Sequence, residues 1–175
     1  MHLLKILLSA ILFTSSSIYS ITVTDIDGAN KPMSNYQHKL ILFVNIATND
    51  SARTPQLAGL QQLQEQFADS LVVIGFPSNS FGYENRTDAQ IKQFCQSTYG
   101  ASFLLAAQGS VKGADIQPVY NWLTRQTENG VMDNEVKGDF QKFLLDKDGN
   151  LIGTFSGRVL PLDARITSAI TANLN

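Results

Sequence analysis

The sequence predicts one α/β domain, a mixed central sheet flanked by helices. Three observations carry that expectation. Two continuous apolar runs, at residues 40–44 and 71–74, each precede a helical pattern. Continuous rather than alternating apolar residues mark strands covered on both faces, as in parallel sheets. Nearer the C-terminus, residues 143–145 and 151–155 flank a five-residue turn at 146–150, which reads as an antiparallel hairpin. At 175 residues, the chain can bury a core without disulfides or metals.

The elements follow in order. Met1 to Ser20 reads as a secretory leader. Lys5 supplies the basic start, residues 6–13 form a short apolar run, and residues 14–20 are mostly small and polar. The run is too short to span a bilayer, which takes about 20 apolar residues in a helix. Cleavage is expected after Ser17 or Ser20, and the folded domain is expected to span 21–175. Ile21-Thr22-Val23-Thr24-Asp25 alternates and meets a turn at Asp27-Gly28, predicting a short strand or hairpin. After the run at 40–44, Thr54 is placed as N-cap and Pro55 as first helical residue. Leu57, Leu60, Leu63 and Phe67 give that helix its apolar face.

The second apolar run ends at Gly75-Phe76-Pro77. Thr87 with Gln90 forms a capping-box pattern before a helix with Ile91, Phe94 and Cys95 on one face. A further helix is expected over 116–125. Residues 128–136 read as loop, and Pro161 is expected to open a last helix with Leu162, Ile166, Ala169 and Ile170 inward.

Composition excludes several functions. Hydrophobic residues make up 43% and charged residues 16%, which excludes disorder. There are 13 Lys+Arg against 15 Asp+Glu, a net charge of −2, so no nucleic-acid partner is expected. Without residues 1–20 the balance is 12 against 15, or −3. Cys95 is the sole cysteine, which excludes an internal disulfide, a Cys-x-x-Cys pair and a Cys-rich zinc site. The histidines are only His2 and His38. No cofactor and no metal are expected.

Four segments stand out: Val44-Asn45-Ile46-Ala47-Thr48 with Thr54-Pro55-Gln56; residues 75–82; Ile91-Lys92-Gln93-Phe94-Cys95 with Tyr99-Gly100 and Phe103; and residues 139–144. In that order and spacing they resemble the glutathione peroxidase family. The resemblance runs from about Ile21 to the end and implies a thioredoxin-like fold. It also implies hydroperoxide reduction by a cysteine or selenocysteine supported by glutamine, tryptophan and asparagine. The nucleophile position falls on Ser51 counting back from Thr54, or on Asp50 counting forward from Val44. The glutamine falls on Ser80, and the tryptophan and asparagine on Gly138 and Asp139.

None of these residues can hold a thiolate. Thiol peroxidases carry an oxygen onto sulfur as a sulfenic acid, and a serine hydroxyl has no counterpart. The reading is therefore an exported pseudoenzyme or binding module. One alternative is a hydroperoxide reductase using Cys95, which matches a position where the family often carries cysteine. Another is a cation site or weak hydrolase on Asp50, Ser51 and Asp139. Arg53, Lys137 and Arg158 are candidates for an anion-attracting mouth. The expected ligand is a thiol or hydroperoxide, or else an unknown protein partner. The chain is expected to be a monomer without a membrane anchor after cleavage, because the segment that is longer in the family's tetramers is short here. An exported chain would be periplasmic in a bacterium and secreted otherwise.

Overall fold

The computed structural model describes residues 15–174. The apolar run of the expected leader lies outside them. In chain order the elements are β1 (Thr22–Thr24), β2 (Asn30–Pro32), β3 (Leu40–Ile46), α1 (Gln56–Gln66), β4 (Leu71–Pro77) and α2 (Asp88–Tyr99). Then come β5 (Leu104–Leu105), α3 (Pro118–Thr124), α4 (Gln126–Asn129), β6 (Lys142–Leu145), β7 (Leu151–Phe155) and α5 (Ala164–Ala172).

The main sheet has the order β5-β4-β3-β6-β7. β3 pairs parallel with β4 and antiparallel with β6, so it sits at the change of direction. All seven residues of β3 are buried, as its unbroken apolar run requires. Alternate residues serve two cores. Leu40, Leu42, Val44 and Ile46 pack with Leu57, Leu60, Ile91, Cys95, Ile166 and Ile170 on the face covered by α1, α2 and α5. Ile41 and Phe43 pack on the other face with Phe76, Tyr120, Trp122 and Phe143. Four of these rings interlock: Phe76 meets Phe43, and Tyr120 meets Phe76 and Phe143 edge-on.

The capping box before α2 forms as its pattern predicts, with Thr87 and Gln90 bonded reciprocally. Three helix starts differ. Pro55 rather than Thr54 flanks α1. The Thr54 hydroxyl lies 2.6 Å from Asp50 O and 3.0 Å from Ala47 O, closing the preceding turn instead. The helix expected over 116–125 is shorter, because Ile116 bridges to Ser110 before Pro118 opens α3. α5 starts at Ala164 with Asp163 as its cap, which leaves Leu162 outside the helix and 43% exposed. The alternation showed neither β5, only two residues long, nor the one-turn α4 within the expected loop.

The packed unit also begins earlier than residue 21. Ile18 is 1% exposed within the second core. The Trp122 indole donates to Ser16 O at 2.7 Å, and the Tyr19 hydroxyl donates to Lys147 O at 3.0 Å. The boundary expected at residue 20 thus falls inside a docked segment.

Candidate functional site

The site lies at the C-terminal end of β3, where the sheet changes direction and α/β sheets place their ligands. The chain leaves Ile46 into a tight turn. Asp50 accepts Arg53 N at 3.2 Å through Oδ1, and Arg53 Nη1 reaches Asp50 Oδ2 at 2.7 Å. Asp50 is 5% exposed, whereas Ser51 points into solvent. Of the two residues matched to the nucleophile, the carboxylate is buried and ion-paired and the serine is exposed.

The loop before β6 supplies the facing wall. Asp139 is 2% exposed, and its Oδ1 has no hydrogen-bond partner among the described residues. Burial pushes its carboxyl up to about 6; the Asp50 charge adds to this, Arg53 opposes it, and Glu84 and Lys112 act more weakly in opposite senses. The backbone here is held hard. Phe140 adopts φ +62°, in the left-handed region that non-glycine residues seldom visit. Its N–H donates to Asn45 O at 2.7 Å, while Asn45 Nδ2 donates to Gly138 O at 3.0 Å. Gly157 presses on the same turn: a Cβ there would lie 2.0 Å from Asp139 O.

Two buried residues that the sequence reading passed over complete the site. Glu84, 1% exposed, accepts Thr48 N at 2.7 Å and Thr48 Oγ1 at 2.8 Å. Nothing in its loop sequence marks it. Lys142 is fully buried, and its Nζ donates to Gln56 Oε1 at 2.8 Å, Phe140 O at 2.7 Å and Val159 O at 2.8 Å. Desolvation brings it down to about 7, with the Arg53 charge adding to the shift. A lysine inside a strand covered on both faces was its visible signal.

Ser80 has a local role: its Oγ lies 2.9 Å from Ser78 Oγ and accepts Val111 N at 3.1 Å. Gly138 contributes backbone alone. A cleft of about 220 Å³ opens beside Asp139, lined among others by Arg53, Lys137, Gly157 and Arg158. The three cations expected at a mouth do meet there. Lys137 and Arg158 form no ion pair among the described residues.

Cys95 is elsewhere. It is fully buried in the core under α2, and burial pushes its thiol up to about 12, with Glu84 adding and Arg86 opposing. The accessible thiol that a relocated peroxidase needs is not what the fold provides. Among the described residues, no group of three or more His, Cys, Asp or Glu is arranged to hold a metal ion. The cation site on Asp50, Ser51 and Asp139 gains no support from this geometry.

Sheet order, covering helices and the position of the site define a thioredoxin-like protein. The family model described as glutathione peroxidase matches residues 18–124. Its start at Ile18 agrees with the burial of that residue, and its end precedes Gly138 and Asp139. The glutathione peroxidase-like peroxiredoxin GPX5 of Chlamydomonas reinhardtii is 36% identical over 82% of this chain and 88% of its own. A glutathione peroxidase of Lactococcus lactis is 32% identical over 83% and 92%. The crystal structure of Trgpx in its apo form superposes with a TM-score of 0.68 at 27% identity, covering 90% of this chain and 97% of that one. The chain belongs to the glutathione peroxidase family.

Proposed function

We propose that this chain is a glutathione peroxidase-like protein that binds a small acidic molecule rather than turning over peroxide. One observation carries the reading: an oxygen-bearing, ion-paired Asp50 occupies the turn where the resemblance puts the nucleophile, and the one sulfur lies buried under α2. An oxygen atom cannot cycle through a sulfenic acid. A thiol near 12 offers almost no thiolate at neutral pH. The cleft beside Asp139, with Arg53, Lys137 and Arg158 at its rim, suits an acidic small molecule such as glutathione. The relatives include a glutathione peroxidase and a glutathione peroxidase-like peroxiredoxin, which supports a peroxide-related role as sensor or sequestering partner.

The test is hydrogen-peroxide consumption by purified protein with glutathione or thioredoxin as donor, alongside Cys95→Ser. No turnover in either supports the reading. Turnover that vanishes in Cys95→Ser establishes a relocated thiol peroxidase and overturns it.

Export and a monomeric state belong to the same proposal. The basic start and apolar run before residue 14 support export. N-terminal sequencing of protein recovered from the extracytoplasmic fraction tests it, and light scattering tests the monomer.

A further inference from the structure

The unusual group at the cleft is Asp139. A carboxylate beside three cations would ordinarily be paired with one of them. Yet Arg53 is bonded to Asp50, and Asp139 Oδ1 is enclosed without a partner. Ionised, Asp139 repels an incoming anion and competes with it for Arg53, Lys137 and Arg158. Neutral, it offers an O–H donor beside those cations.

We propose that the cleft takes up a small oxyanion together with one proton, which Asp139 holds, so that Asp139 gates binding by pH. The proposal rests on the reading of this cleft as an anion-binding mouth and adds its regulation. The ligand class is a carboxylate, sulfate or phosphate group small enough for about 220 Å³. The balance is simple: carboxylate, proton and anion enter, and a neutral carboxyl hydrogen-bonded to the anion results, with no covalent step.

The groups facing Asp139 set the window. From the turn after β3 these are Asp50 and Arg53; from the loop after β4, Glu84; from the segment before α3, Lys112. Lys137 and Arg158 line the cleft itself. Arg53, Lys137 and Arg158 supply the positive charge at the cleft, and Asp50 is paired with Arg53. The proton is therefore exchanged at Asp139, whose burial already favours the neutral form. Lys142 titrates in a nearby window, but its ammonium is turned to Gln56 Oε1 and two backbone carbonyls.

Sulfate is the probe, because its charge does not change between pH 5.5 and 8. Its binding to the full chain is followed by calorimetry or NMR titration, beside Asp139→Asn and Arg158→Gln. Wild type should weaken by up to about tenfold per pH unit above pH 6.5, the slope of one linked proton. Asp139→Asn should bind equally at every pH, at least as tightly at pH 8 as wild type does at pH 5.5. Arg158→Gln should weaken binding throughout.

Four results overturn the proposal: no sulfate binding at any pH, a flat profile in wild type, an unchanged slope in Asp139→Asn, or normal binding in Arg158→Gln. The third would move the proton to Lys142, and the last would move the site. Peroxide consumption is read separately, so a failed gate and a failed non-peroxidase reading are told apart.

Discussion

Asp139 and Lys142 stand three residues apart, and burial disfavours the charged form of each. Their pH signatures run in opposite directions. The folded carboxyl of Asp139 sits near 6, above its ordinary 3.8, so the fold prefers it protonated. The stability this allows is complete below about pH 4 and falls by up to about 3 kcal/mol as pH rises through 6. Asp139→Asn should therefore be more stable than wild type at pH 7.5 and lose that falling limb, read by urea unfolding from pH 4 to 7.5. Lys142 sits near 7, below its ordinary 10.5, so the fold prefers it neutral, and stability rises as pH climbs from 7 towards 10.5. Lys142→Met should nonetheless cost about 2–4 kcal/mol at pH 7.5, because the carbonyls of Phe140 and Val159 lose their donor. For Cys95, an alkylating reagent should reach the thiol only after denaturant is added; rapid labelling of native protein would contradict its burial.

Short elements hold these residues in place. The turn of residues 138–140 depends on the close approach of Gly157, so Gly157→Ala must move Asp139 O by more than 1 Å to reach ordinary van der Waals contact from 2.0 Å. That variant should be destabilised by about 2 kcal/mol or more and should lose sulfate binding beyond what its stability loss explains. Away from the site, Thr87→Ala removes one half of the capping box of α2. It should cost about 1 kcal/mol with anion binding unchanged. Some of this was legible beforehand. Thr87 and Gln90 announce their cap because both partners lie within one helical turn. Thr54 misled because its hydroxyl had a nearer use, closing the turn that positions Asp50.

At the scale of the molecule, the sheet brings distant segments together and the N-terminal segment closes one face. A chain starting at Ile21 loses Ile18 from the core and the acceptor of the Trp122 indole. It should be less stable by about 2–5 kcal/mol than a chain starting at Ser15, measured by chemical denaturation. The docked segment was not visible in sequence, because Ser15-Ser16-Ser17-Ile18-Tyr19-Ser20 carries no periodicity and its partners lie more than 100 residues away. Crowding at Gly149, where a Cβ would lie 2.8 Å from the Tyr19 ring and 2.9 Å from Ile18, is likewise a tertiary fact.

The sequence by itself determined the α/β class, both buried parallel strands, the C-terminal hairpin and the absence of sulfur from the turn after β3. Those features are local: burial on two faces shows in an unbroken apolar run, and a missing atom type shows in the residue name. Only the tertiary structure decided that Asp50 is buried while Ser51 is exposed, that Asp139 Oδ1 is enclosed without a partner among the described residues, and that Cys95 is shut away. Those outcomes depend on which distant segment covers each side chain, and desolvation by that cover sets both its reactivity and its charge.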